Sequence, residues 1–255
     1  MPPELTDLAS LGLPSDAVDA IAEFVREVEA VVPRLLGAYL HGSAARGAYA
    51  PPASDVDILL LLSGHCADDA IPRLVAAQAS GRMAGTRIGA VCVTRAQLAA
   101  AILPVALDLV LPPDAEPQRD AANLGMMFPL DWQDAWECGV ALSGPPVREV
   151  LTPAPREMLT ASVAWLFPHL AANFKNPELM LCRAARVLTE GRLCSKPEAG
   201  RWALKVFDAR WHGLIGKALA ERERGGSQAV CSPEELADFQ RACAELIQAA
   251  TGVAL

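Results

Sequence analysis

Ser54-Asp55-Val56-Asp57-Ile58-Leu59-Leu60-Leu61-Leu62 is the most informative stretch of the chain, and it follows an apolar run over residues 36–41 that ends in Gly42-Ser43. Side chains alternate across a strand, so Asp55 and Asp57 are expected on one face of a strand that continues through the leucines. Two carboxylates held so close repel each other unless a cation lies between them. Mg²⁺ takes such oxygen ligands and bridges them to phosphates. Since a Gly-Ser turn lets the backbone approach a phosphate closely, the pattern predicts a magnesium-dependent nucleotide site.

Composition limits the class of protein. The chain has 255 residues, 52% of them hydrophobic, which is enough to bury a large core without disulfides. Its net charge of −8 disfavours a nucleic-acid polymer as partner, because a phosphate backbone needs a cationic surface. The seven cysteines have no Cys-x-x-Cys spacing, which indicates reduced thiols in a cytoplasmic protein. We expect no signal peptide and no membrane span, since the longest apolar stretch, residues 98–111, is too short.

Helix and strand patterns alternate in the first part of the chain and predict an α/β domain over residues 1–150. We expect helices over residues 16–32 and 68–81, and strands over residues 36–41, 55–62, 87–94 and 103–111. Residues 151–255 show no strand signal and form a predicted all-α bundle. Its helices are expected over residues 155–166, 177–190, 196–223 and 233–251, and Ser195 and Ser232 open the last two with capping boxes.

The paired aspartates behind a Gly-Ser turn resemble the pattern of nucleotidyltransferases of the polymerase-β superfold. The second half resembles the helical domain of the aminoglycoside 3″-adenylyltransferases, the streptomycin and spectinomycin resistance enzymes, in Leu179-Met180-Leu181-Cys182-Arg183, Thr189-Glu190-Gly191 and residues 195–203. Residues 131–145 are similar to the linker of that family. The resemblance implies a mixed-sheet nucleotidyltransferase domain followed by a helical bundle. It also implies a monomer that transfers AMP from ATP to a hydroxyl of a small-molecule acceptor.

The resemblance also implies roles for single residues. Asp55 and Asp57 would ligate Mg²⁺ and serve in catalysis. The nucleotide would be bound by Gly42, Ser43, Ser54, Arg183, Lys196 and Trp211. His212 is an alternative to Trp211 as the aromatic residue by the nucleotide, and core packing is an equal alternative for Trp211. Lys196 also stands in the first turn of a capped helix, where its charge adds to the positive end of the dipole. The acceptor would be bound by Trp165, Asn173 and Glu178.

The chain departs from this family at the catalytic base and in the acceptor site. The family carries a base glutamate on the third strand, where this chain has Gly89, and no Asp or Glu occurs over residues 70–107. Asp108 is the nearest acid downstream and is our candidate base, with a structural role as the alternative. Residues 165–176 contain no acid to bind a polycation, and Asn173 replaces a family aspartate.

Two other functions therefore stay open beside adenylyl transfer to a small molecule. One is a catalytically weak or inactive family member that binds a nucleotide or an antibiotic without transfer. The other is nucleotidylation of a protein hydroxyl, as in toxin–antitoxin systems that use this superfold.

Overall fold

The structure is a computed structural model that describes residue 8, residues 10–253 and residue 255, leaving out the side chains of residues 172 and 173. The chain divides into two compact units, Met1–Pro155 and Arg156–Leu255. The first holds a sheet with helices and the second is helical, which confirms the predicted fold class. Within the described part of the chain, no helix combines the length and the apolar character needed to cross a membrane.

The first unit is built on a five-stranded mixed sheet in the order β4-β3-β2-β1-β5. Its strands are β1 (Leu35–His41), β2 (Val56–Leu62), β3 (Ile88–Thr94), β4 (Leu109–Leu111) and β5 (Val140–Ser143). β2 runs parallel to β3, and the other neighbouring strands are antiparallel. The register places His41 of β1 and Gly89 of β3 on either side of Asp57.

Six α-helices accompany this sheet in the described residues of the first unit: α1 (Ser15–Val31), α2 (Gly42–Ala45), α3 (Ile71–Met83), α4 (Arg95–Ala100), α5 (Ala122–Cys138) and α6 (Val147–Val150). α1 packs against α3, and α5 packs against β1 and β2. Phe24 of α1 is buried in one hydrophobic core with Leu60 and other alternate residues of β2. The long apolar run after Asp57 is thus explained, because β2 is central and both of its faces are covered.

Two expectations for this unit are wrong. Only Leu109–Leu111 of the expected strand over residues 103–111 pairs with β3. Pro104 cannot donate to a strand ladder, and the N–H of Val105 donates instead to the carbonyl of Gly125 in α5, at 3.1 Å. Residues 131–145 do not form a linker either. They contain the last two turns of α5 and the edge strand β5, which pairs with β1.

The second unit contains α7 (Arg156–Leu166), α8 (Leu170–Asn173), α9 (Pro177–Glu190), α10 (Lys196–Val206), α11 (His212–Glu223) and α12 (Pro233–Thr251). α9 packs against α10 and α12. The helix expected over residues 196–223 is two helices, because Phe207 has an extended backbone. Asp208 then caps a short 3₁₀ turn, accepting the N–H of Arg210 at 2.9 Å.

Candidate active site

The Gly-Ser turn and the paired aspartates meet at the amino end of β2. Gly42 has φ +71°, in the left-handed region that favours glycine, and a Cβ placed on it would lie 2.3 Å from Oδ2 of Asp57. A side chain at position 42 would therefore displace the Asp57 carboxylate. Asp55 lies two residues earlier, and its Oδ1 is 3.2 Å from a guanidinium nitrogen of Arg87, which also contacts Asp114.

Asp57 is held where its negative charge is unfavourable. Part of the side chain reaches solvent, but dense packing around the carboxylate raises the pKa of Asp57 to about 7. His41 opposes this rise, and Asp131, Asp55 and Asp134 add to it in that order. A carboxylate crowded by other carboxylates is stabilised by a cation, so this site fits a bound metal ion.

Helix α5 brings a buried acid to the back of the Gly42 turn. Oδ2 of Asp134 accepts the N–H of Gly42 at 2.7 Å, and its Oδ1 accepts a bond of 2.8 Å from Nε of Arg46. Arg46 also donates to Oε2 of Glu137 at 3.0 Å. Asp134 is 2% exposed, so its carboxylate is almost fully shielded from water. Its bonds to Gly42 and Arg46 hold the turn against α5. Gly42 was predicted to bind the nucleotide, but its N–H already donates to Asp134 within the protein.

The two serines predicted to bind the nucleotide have different surroundings. Ser54 is buried, and its hydroxyl accepts the N–H of Ala50 at 3.1 Å, which closes the loop between the turn and β2. Ser43 follows Gly42 directly and is half-buried at the start of α2. Of the two, Ser43 is thus the better placed to meet a phosphate at the turn.

Asp108, the candidate base, lies at the other end of the sheet. Its backbone N–H donates to the carbonyl of Cys92, which pairs with Leu60, three residues beyond Asp57. Its buried carboxylate contacts Nδ1 of His65 and accepts the N–H of Cys66 at 2.8 Å, just after the carboxyl end of β2. Asp108 therefore stabilises the loop that follows β2. This position argues against its role as the base.

Gly89 of β3 lies beside Asp57, the candidate metal ligand, in the strand register. A Cβ on Gly89 would lie 4.0 Å from Oδ1 of Asp57 and 3.4 Å from Cδ of Pro113. Both distances are ordinary contacts, so the fold would accept a Cβ at position 89. An acid at position 89 would lie beside Asp57, and glycine supplies none.

Lys196 and Arg183, the predicted phosphate ligands of the second unit, lie at the start of α10 and on α9. Nζ of Lys196 donates to the carbonyl of Lys175 at 2.8 Å. The predicted capping box is present, with Ser195 and Glu198 bonding each other's backbone N–H. Arg183 is half-buried and lowers the pKa of the Cys194 thiol, against a larger rise that comes from burial.

The structure does not support two of the other predicted site residues. Trp211 is 9% exposed, and its ring packs 5.1 Å from the ring of Phe239, so the alternative of core packing explains it. Glu178 is fully buried, and its Oε1 accepts the N–H of Val230 at 2.8 Å and contacts the thiol of Cys231. It holds the loop before α12 and does not face an acceptor.

Of the two remaining acceptor candidates, Trp165 is half-buried beside His169, with ring centroids 5.7 Å apart. Asn173 ends α8, and its side chain lies outside the described part. Three residues near the Gly42 turn were not predicted from the sequence: Asp131, Asp134 and Arg46. The available signal was the spacing of Asp131, Asp134 and Glu137, three residues apart each time, which is typical of one helix face.

Known proteins share both halves of this architecture. Residues 21–114 match the family described as nucleotidyltransferase domain, and residues 149–246 match the one described as aminoglycoside adenylyltransferase, C-terminal domain. The solved structure of spectinomycin adenyltransferase AAD(9) from Enterococcus faecialis, with ATP and spectinomycin, has a similar fold. Its TM-score is 0.70 at 15% identity, over 89% of this chain and 98% of that chain.

One further solved structure and the curated protein sequences give no additional evidence on the fold. A toxin–antitoxin structure with AMP-PNP aligns over 60% of this chain and 90% of that one at 16% identity, but its TM-score of 0.30 is too low to indicate a shared fold. Among curated protein sequences, none matches this chain significantly.

Proposed function

We propose that this chain is an aminoglycoside adenylyltransferase-like enzyme that transfers AMP from ATP to a hydroxyl group of a small molecule. The proposal is supported by the match of residues 21–114 to the nucleotidyltransferase domain and of residues 149–246 to the aminoglycoside adenylyltransferase C-terminal domain. The observation that carries the proposal is the contact between the Gly42 turn and Asp57. It sets a backbone bend suited to a phosphate directly against a carboxylate suited to a cation. AAD(9) was solved with ATP, and we extend that donor to this chain as part of the proposal.

Asp55 and Asp57 would hold Mg²⁺. In the described residues, no group of three or more His, Cys, Asp or Glu side chains is placed to hold a metal ion. Two carboxylates are nevertheless sufficient, because Mg²⁺ in nucleotide sites is usually held by one or two carboxylates together with phosphates and water. When bound, Mg²⁺ supplies positive charge to the α-phosphate and to the departing pyrophosphate.

The protein side chains would bind and orient the nucleotide. Ser43 would donate to a phosphate oxygen from the turn, whose shape is fixed by Asp134 and Arg46. Lys196 and Arg183 would neutralise the triphosphate. The acceptor oxygen would attack the α-phosphorus in line with the bond to the leaving pyrophosphate.

The acceptor site differs from one built for a polycation. Residues 165–176 carry no acid, and the carboxylate of Glu178 is buried against Val230 and Cys231. Each ammonium group of a polycation needs a carboxylate or a similar partner to replace its water. We therefore propose a less cationic hydroxyl compound as the natural acceptor, and antibiotic resistance is only one of the roles to test.

The direct test is incubation with ATP and Mg²⁺ across an acceptor panel that includes streptomycin, spectinomycin and uncharged polyols. Product is detected by mass spectrometry as an acceptor carrying AMP, and pyrophosphate is measured in the same samples. An adenylylated product supports the proposal. Tight binding of a non-hydrolysable ATP analogue without product from any acceptor would overturn it and would favour the binding-only function, to which Gly89 lends support.

A further inference from the structure

The acids of α5 that face the candidate site are the feature that the proposed function leaves unexplained. Asp131 and Asp134 are three residues apart on this helix, so they lie on the same face, one turn from each other. Asp134 accepts the N–H of Gly42, and Gly42 lies against Asp57. The face that carries Asp131 is therefore turned towards the amino end of β2.

The electrostatics of Asp57 agree with this placement. Asp131 is near enough for its charge to act on Asp57, and its effect there is larger than that of Asp55, which lies only two residues from Asp57 in the chain. His41 itself is 4% exposed, and its Nδ1 is buried with no hydrogen-bond partner among the described residues. His41 is paired with Asp57 across β1 and β2, so this unsatisfied polar atom belongs to a direct neighbour of the Asp57 position.

The proton of the attacking hydroxyl needs an acceptor. Three other positions are candidates for this acid, and none of them supplies it. Position 89 on β3 is glycine, and Asp108 bonds the loop after β2. Asp114, which follows Pro113 near Gly89, is paired with Arg87.

We propose that Asp131 is the general base of this active site and replaces the acid that is missing from β3. The inference rests on the proposed function. In the step, the acceptor O–H bond breaks and its proton passes to the Asp131 carboxylate while the oxygen forms a bond to the α-phosphorus. The bond from the α-phosphorus to its bridging oxygen breaks, and that oxygen leaves with the electron pair as part of pyrophosphate.

Asp131→Asn tests this assignment with an acceptor that wild type adenylylates. Loss of a general base should lower kcat about 100-fold or more, while the KM for ATP changes less than about twofold. Binding of a non-hydrolysable ATP analogue with Mg²⁺, measured by calorimetry, should match that of wild type. Asp69→Asn is the matched control, because Asp69 is an exposed aspartate of the same unit.

Two further variants separate a base from a merely structural acid. Asp131→Ala should recover part of its lost kcat in formate, which can take the proton from the hydroxyl. The double variant Gly89→Glu with Asp131→Asn should regain activity over Asp131→Asn alone, since the fold has room for a Cβ at position 89. A structural role for Asp131 would be rescued by neither.

The outcomes keep the inference apart from the proposed function. If wild type and Asp131→Asn adenylylate the same acceptor equally well, the inference is overturned and the proposed function stands. A parallel loss of nucleotide binding and kcat, with no rescue by formate, would also overturn it. Wild type without product from any acceptor would overturn the proposed function, and the inference with it.

Discussion

Strand β2 and helix α5 each bring two aspartates to the Gly42 turn, and the two pairs have different partners there. Asp57 of the β2 pair lies against Gly42 in a position that favours a cation. Asp134 of the α5 pair already has its cation, Arg46, and uses its other oxygen for the N–H of Gly42. Asp57 is thus suited to a ligand from solution, whereas Asp134 shapes the turn. Equal numbers of carboxylates at one turn do not mean equal roles.

The largest effect is expected at the β2 pair. Asp57→Asn removes a charge that the proposed Mg²⁺ needs, so transfer of AMP should fall at least about a thousandfold. Adenylylated product should be measured at saturating ATP, with Asp69→Asn as the control. If Asp57→Asn kept more than a tenth of the wild-type rate, Asp57 would not be a metal ligand and the contrast between the two pairs would be lost.

A smaller effect is expected at Asp134, where charge and hydrogen bonding can be separated. Asp134→Ala leaves both the N–H of Gly42 and the guanidinium of Arg46 without this partner, and it should destabilise the fold by about 3 kcal/mol. In the folded fraction we expect a kcat lower by about 30-fold, because a loosened turn misplaces the phosphate.

Asp134→Asn is the informative companion, because an amide oxygen can still accept the N–H of Gly42. Its kcat should lie closer to that of wild type than the kcat of Asp134→Ala does, while its urea midpoint should still fall. Equal kcat values for the two variants would mean that the bond to Gly42 does not position the turn, and that Asp134 acts only through Arg46.

The same contrast explains what the sequence could predict. Asp55, Asp57 and the run to Leu62 form a local pattern, since strand alternation and an apolar core leave few other structures for them. Two helices of the second unit were predictable for the same reason, since the expected bounds 177–190 and 233–251 agree with α9 and α12. Ser232 caps the start of α12, as the sequence predicted. Each of these features is fixed by residues that are neighbours in the sequence.

Helix α5 has few such local signals beyond the three-residue spacing of its acids. Ala121 offers no capping side chain at its start, and Pro129 lies inside it, where proline normally argues against a helix. The position of Asp108 was not predictable for a related reason, because the end of the sheet that its carboxylate faces depends on tertiary packing. Residues that are brought together by packing alone have no signature in the sequence.

The pH dependence of stability tests the environment of Asp57 without any substrate. Burial raises its pKa from 3.8 to about 7 in the folded protein. Between these values the folded protein keeps a proton that the unfolded chain has released, so the contribution of Asp57 to the free energy of unfolding falls as pH rises through this window. Above pH 7 the ionised group is a net cost to the metal-free fold.

Asp57→Asn removes that cost, so the metal-free variant should exceed wild type in free energy of unfolding by about 2 kcal/mol at pH 8. The advantage should shrink towards pH 4, and urea unfolding at three pH values measures it. Saturating Mg²⁺ should stabilise wild type at pH 8 but not the variant. A difference that stays constant with pH would show that Asp57 is not held in its neutral form.

The smallest effect is expected at Trp211, which the family resemblance associated with the nucleotide and which the structure places against Phe239. Trp211→Phe keeps an aromatic ring in this core and removes volume, so it should cost about 1 kcal/mol of stability through imperfect packing. The KM for ATP should change less than about twofold, because the buried ring has little surface to offer a ligand. A variant with normal stability and a KM for ATP raised tenfold would return Trp211 to the nucleotide site. It would also mean that, in the second unit, the family pattern identifies ligand residues better than burial does. In the first unit the opposite holds, because the acids of α5 were identified from the structure and not from the family pattern.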